Sequence, residues 1–350
     1  MKRLNKIILL SIVFTAFFSS VNAGNEDRVG SAGASQLLVN PWGRSVALGD
    51  ASVANAQGIE ATYLNIAGLA NIKKMQIKLG HTNWLGSAGI GFNSVGYAQK
   101  IGTSGAIGLS VQSMNFGDVN VTTVDNPDGG IGVFSPRTSI INFGYAKLFQ
   151  QGISGGLNFK LISESITNLS ATGICFDAGV KYASLDEKFK IGITLKNLGP
   201  KMTYSGDGLA TQVTYNSTGK TATLEQRTQP FELPSLLSMG SSYDFVFDSI
   251  SKLSTMFTFT ANSFSNDQYR FGLDYGFATD KVAFNLRAGY VYEKNLFSSV
   301  NSTTSLTGFT SGFSVDFNAT KSTAIGLEYS LRTSSPFGLI HTFGTTIAIK

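Results

Sequence analysis

A single cysteine, Cys175, stands in 350 residues, so an intrachain disulfide and a thiolate metal site are both excluded. Two histidines, His81 and His341, leave little material for imidazole metal binding or acid–base chemistry. Charge is also scarce, at 14% of residues, which is less than the surface of a soluble domain of this length carries. The 27 basic residues outnumber the 22 acidic ones, but Lys2, Arg3 and Lys6 belong to the first segment. Without them the balance is 24 to 22, and no basic run stands elsewhere. Nucleic acid is therefore not an expected partner. After residue 23 no apolar run reaches the roughly 18 residues of a helical membrane span.

What is present begins with an export signal. Lys2, Arg3 and Lys6 form a positive start, Ile7 to Phe18 is a short apolar stretch, and Val21-Asn22-Ala23 offers small residues to a signal peptidase. Residues 1–23 read as a cleaved signal peptide, with no cysteine nearby to carry a lipid. An exported chain without a helical span is periplasmic, secreted or a barrel. The 39 glycines and 38 Phe plus Tyr residues suit a β protein with lipid outside.

From about residue 74 the chain alternates with period two. In Gln268 to Ala278, Tyr269, Phe271, Leu273, Tyr275 and Phe277 share one face, and Arg270, Gly272, Asp274 and Gly276 the other. The rhythm repeats from Val282 to Tyr292, from Phe309 to Phe317, from Ile325 to Arg332, and earlier from Phe189 to Lys196. Segments of about ten residues match the length of a tilted strand crossing a bilayer. Glycine and charge on the second face suit a wet lumen better than an apolar core.

Fourteen such segments begin near residues 74, 88, 105, 137, 153, 171, 189, 235, 252, 268, 281, 309, 322 and 339. Even-numbered connections are tight, and the longest, Asn115 to Pro136, Gly199 to Pro234 and Glu293 to Gly308, are odd-numbered. Short turns on one side and long loops on the other are the asymmetry of outer-membrane barrels, with the short turns periplasmic. The first connection, Leu85 to Ser87, is short for an outer loop. The expected fold is all-β: a transmembrane antiparallel barrel of about fourteen strands over residues 74–350. Residues 24–73 lack the rhythm, and are expected to form a plug inside the lumen or to lie under it.

The motifs offer little chemistry. His81 and His341 fall on the apolar face near strand ends, as interfacial residues do, so catalysis is not expected. Asp125-Asn126-Pro127-Asp128-Gly129-Gly130 has oxygen ligands but lacks the spacing of a calcium loop, and these residues are also turn formers. Gly155-Gly156 sits within a strand and is expected to mark a bend or a contact with the plug. Cys175 points inward by parity and reads as an inert small residue. Arg270, Asp274, Arg287, Asp316, Glu328 and Arg332 also point inward. They are expected to pair with one another and with the plug, the alternative being a permeation or ligand path. No cofactor or metal is expected.

Gly43-Arg44-Ser45-Val46-Ala47-Leu48-Gly49-Asp50-Ala51, followed by Tyr63-Leu64-Asn65-Ile66-Ala67-Gly68-Leu69, resembles the opening of PorV/PorQ-family proteins. These are fourteen-stranded relatives of the fatty-acid channel FadL, found in Bacteroidota outer membranes. The family usually has proline where Ile66 stands; Asn65, Ala67, Gly68 and Leu69 keep the pattern. The likeness extends through His81-Thr82-Asn83-Trp84 and Gly108-Leu109-Ser110-Val111 to Asn197-Leu198-Gly199-Pro200-Lys201-Met202. It implies a non-enzymatic outer-membrane component of, or accessory to, type IX protein secretion. Its expected partners are outer-membrane lipid and type IX secretion proteins or the C-terminal domains of secreted substrates. The long loops would dock them, with Asp125, Asn126, Asp128, Lys201, Tyr204 and Asp207 as candidate contacts. Two alternatives stand beside it: a FadL-like transporter of hydrophobic small molecules, with residues 24–73 as its hatch, and a purely structural barrel.

Overall fold

A computed structural model describes residues 24–85, 89–150, 152–215, 219–298, 302 and 304–350. The signal-peptide segment 1–23 and Ser87 of the first connection lie outside the described residues.

Fourteen antiparallel strands close into a barrel. They are β1 (Met75–Trp84), β2 (Ile90–Ile101), β3 (Gly105–Asn115), β4 (Arg137–Leu148), β5 (Ile153–Ile166), β6 (Leu169–Ala183) and β7 (Phe189–Leu198). Then follow β8 (Leu236–Val246), β9 (Ser251–Asn262), β10 (Gln268–Ala278), β11 (Val282–Glu293), β12 (Gly308–Asn318), β13 (Thr323–Ser334) and β14 (Gly338–Ile349). Each pairs with its chain neighbours, and β1 meets β14 from Met75↔Ile349 to Asn83↔His341, which leaves no free edge. The ladder slips once, between Phe176 and Ala178 of β6, opposite Asn197, whose φ is 59°.

Period-two patterning becomes two surfaces. On β10, Phe271, Leu273, Tyr275 and Phe277 point outward and are 41–49% exposed, while Gly272, Asp274 and Gly276 face inward and are buried. Aromatic neighbours tile the outside across strands, as in Phe257–Phe271 at 5.2 Å and Tyr329–Phe343 at 5.2 Å between ring centroids. Covering one such Phe or Leu is worth about 1.5–3 kcal/mol. Water cannot cover this belt but lipid does, so the wall is built to stand in a bilayer.

Turns at one end are short throughout, as between β10 and β11. The other end carries the long connections, and two of them fold further. Val119–Asn120 pairs with Val133–Phe134, and Ala210–Tyr215 pairs with Lys220–Glu225 in a hairpin that is almost wholly exposed. Loop length still varies at that end, since only Thr167 and Asn168 join β5 to β6.

Most of residues 24–33 stands exposed at the long-loop end, where Arg28 meets Glu232 and Glu26 meets Lys294, and residues 34–72 lie inside the barrel. They form the short helix α1 (Gly43–Ala47) and 3-10 turns at Ser35–Leu38, Gly58–Thr62 and Ile66–Asn71. Trp42, Leu48, Ile59, Ala67 and Leu69 are wholly buried. The wall receives them through glycine. A Cβ on Gly96 would stand 2.3 Å from Ile59, on Gly144 2.5 Å from Ile66, on Gly179 2.1 Å from Asn65, and on Gly289 2.4 Å from the Leu48 backbone. Gly108, Gly192, Gly240, Gly272 and Gly312 touch the same segment, so the contact runs round the circumference. The inward glycines thus meet packed protein where a wet lumen was expected. Gly155 and Gly156 differ: the atoms nearest to a Cβ there belong to Phe149, Gly179, Tyr145 and Ala146, not to the plug.

Candidate functional site

The plug is fastened by ion pairs at two levels. Nearest the short turns, Asp274 takes Arg287 at 3.2 Å and Arg44 of α1 at 3.6 Å, and Arg287 also donates to Ser314 at 3.0 Å. Beside them Lys78 of β1 bridges Glu60 of the plug and Glu328 of β13, the latter at 2.8 Å. Glu328 also accepts the Gly43 amide at 3.0 Å, and Ser45 donates to Glu60 at 3.0 Å. Toward the long loops, Asp50 of the plug holds Arg332 at 2.7 Å and Arg270 at 3.4 Å, and Asn40 donates to the same carboxylate. Buried charges are tolerated only with such partners.

The six inward charges singled out in the sequence therefore divide. Arg270, Asp274, Arg287, Glu328 and Arg332 are paired with the plug or with each other. Asp316 is partly exposed and has no cation within 4 Å among the described residues. Other lumenal charges take part as well. Lys78 is the centre of one cluster; Lys160 meets Asp177 at 2.6 Å and Lys190 meets Asp244 at 2.8 Å. Their inward parity was visible in the sequence, but which charge meets which follows from strand pairing and barrel closure.

The plug motif has a clear local cause. The Asn65 side-chain oxygen Oδ1 accepts the Ala67 amide at 3.2 Å and so caps the turn Ile66–Asn71, while its side-chain Nδ2 donates to the Val53 and Val180 carbonyls at 3.2 Å. Gly68 is obligatory for space, since a Cβ there would lie 2.2 Å from the Ala56 carbonyl oxygen. Leu69 packs on Gly108, and Ile66 fills the room over Gly144.

Not every candidate loop residue is available to a partner. Asp125, Asn126, Asp128 and Asp207 are exposed. Tyr204 is not: it packs on Phe231 and donates to Glu164, so it closes the loop onto β5. Lys201 pairs with Glu232 at 3.1 Å, and Arg28 of the N-terminal segment holds the same carboxylate at 2.8 Å. Hydrogen bonds from Arg28 and Lys201 keep Glu232 below the usual carboxylate range. His81 points outward to Asn93 at 2.8 Å, and His341 lies 2.8 Å from the Tyr329 hydroxyl. Cys175 is fully buried.

Between the plug and the long-loop end lies a cavity of about 100 Å³. Leu64, Leu236, Phe264, Val291 and Leu306 give it an apolar wall; Asp50, Lys196, Arg270 and Arg332 give it charge. Lys196 donates to the Tyr63 carbonyl at 2.9 Å and sits 4.0 Å from the centre of the Tyr63 ring. Nothing in the sequence marked this cavity, because its residues come from the plug, six strands and three loops.

No family model matches the chain, and no curated protein matches it. Solved structures do. The Pseudomonas putida toluene transporter TodX is similar over 88% of this chain and 97% of its own, with 13% identity and a TM-score of 0.55. The Ralstonia pickettii toluene transporter TbuX is similar over 88% of this chain and 97% of its own, with 13% identity and a TM-score of 0.52. A Pseudomonas aeruginosa FadL homologue is similar over 89% and 97%, with 13% identity and a TM-score of 0.52. The fold is thus that of FadL-like barrels.

Proposed function

We propose that the chain is an outer-membrane channel for small, largely apolar molecules. The observation that carries this reading is the cavity of about 100 Å³ between plug and loops, lined by apolar side chains with a few charged ones set among them. Ligand sites combine an apolar lining with a few placed polar groups in this way. A diffusion pore needs an open lumen, whereas here the plug packs against glycines round the wall. Passage therefore requires the plug to shift after a molecule has entered from the loop side. The likeness in fold to two toluene transporters supports the same reading and ranks it above the secretion role expected from the sequence. The test is uptake of labelled toluene and labelled benzoate into proteoliposomes with a lipopolysaccharide outer leaflet, which hinders free passage of either. Entry of either above that of protein-free vesicles is expected; entry of both equal to it sinks the proposal.

A docking role, as in type IX secretion, is the second reading. It rests on the hairpin of Ala210–Tyr215 and Lys220–Glu225, which projects with its outer edges unpaired and suits strand addition by an extended partner. Deleting this hairpin in the native host tests it: secreted cargo reaching the surface in normal amounts would exclude the role.

A further inference from the structure

We infer that the molecule the cavity takes is a small organic carboxylate rather than a neutral hydrocarbon, an inference that rests on the channel reading above. Charge balance at the cavity leads to it. Among the lining residues Lys196, Arg270 and Arg332 are cations and Asp50 is the one acid. Asp50 is already shared by both arginines. Lys196 is 5% exposed, and no carboxylate of the described residues lies within 4 Å of it. Its ammonium has a carbonyl and a ring face for company, which leaves donors over.

Positive charge therefore outweighs negative charge at the cavity, three cations standing against one acid. A carboxylate offsets this: it brings one negative charge and about four lone-pair sites to the donors left over on the Lys196 ammonium. The remainder of the molecule is apolar and short. Leu64, Leu236, Phe264 and Val291 form its wall, and the volume is of the order of a cavity that holds a single benzene ring. A long acyl chain does not fit this space.

Benzoate and toluene form the matched probe pair, since they share a ring and differ in charge. Binding of each to the purified, detergent-solubilised protein is measured by equilibrium dialysis. Benzoate is expected to bind at least tenfold more tightly than toluene. Lys196→Met is expected to weaken benzoate at least tenfold while leaving toluene unchanged, and Lys196→Arg to restore most of the loss. Heat-modifiable gel migration shows whether each variant is folded; the wild-type comparison needs no variant. Toluene bound as tightly as benzoate overturns the carboxylate inference and leaves the channel standing. Benzoate binding untouched in folded Lys196→Met overturns the assignment to this cavity. Binding of neither, together with no uptake into proteoliposomes, removes the channel reading and this inference with it.

Discussion

Gly289→Ala tests the seated plug by the sign of its effect. Gly289 does not have a left-handed φ, so alanine is allowed there and on backbone grounds alone would stabilise by about 0.4–1 kcal/mol. The plug reverses this. The new methyl would lie 2.4 Å from the carbonyl carbon of Leu48 and 2.5 Å from the nitrogen of Gly49, both backbone atoms. Gly49 is itself at φ +61°, so that turn has little freedom to withdraw. Ordinary contact needs about an ångström more room, and overpacking of this kind costs about 1–3 kcal/mol. A net loss near 1–2 kcal/mol lowers the ratio of docked to undocked plug roughly 5- to 30-fold. Gly272→Ala is the control on the neighbouring strand, paired in register with Gly289. There the nearest plug atoms are 3.2 Å away, and the change should be close to neutral. Single-channel conductance in planar bilayers reads plug release, and urea unfolding reads stability. Gly289→Ala should conduct more often and unfold earlier than Gly272→Ala. Equal behaviour, or a more stable Gly289→Ala, would refute the seated plug.

Asp50→Ala should release the long-loop end of the plug, because it strands Arg270 and Arg332; breaking a buried pair costs about 3–5 kcal/mol, seen as a lower urea midpoint and a conducting lumen. Acid should free the N-terminal strap. Glu232 is depressed in the folded state, so its contribution is complete above about pH 4.3 and is lost as pH falls through its lower folded value; proteolysis near Arg28 should rise over that window and stay flat in Glu232→Gln. Cys175 is 0% exposed, so a maleimide should label it only in denaturant, and rapid labelling of the folded barrel would contradict its burial.

The wall was legible in the sequence, and the contacts of the plug within it were not. Lipid on one side imposes strict alternation on every strand, and the fourteen starts inferred from it lie within two residues of those observed. Loop asymmetry was legible for the same reason, as turn chemistry is local. The plug contacts depend on shape: that Gly96 faces Ile59, or Gly179 faces Asn65, follows from barrel closure and not from spacing along the chain. Alternation also breaks at Lys196 and Asn197, both buried in succession at the β6–β7 slip, and a period-two reading passes over such a bulge. Tyr204 illustrates the same limit, since its partner Glu164 is 40 residues away. A loop residue of suitable type gave no sign of being tied to the wall.

The glycine-lined interior also bears on how the protein loses its structure. In a hollow barrel the inner face is hydrated before unfolding begins, so denaturant gains new surface only from the lipid side. Here Trp42, Leu48, Ile59 and the inward wall are shielded from water in the native state, and unfolding exposes two dry surfaces at once. The denaturant slope scales with newly exposed area, so it should exceed that of an empty fourteen-stranded barrel. Deleting residues 24–73 should bring it down to that smaller value.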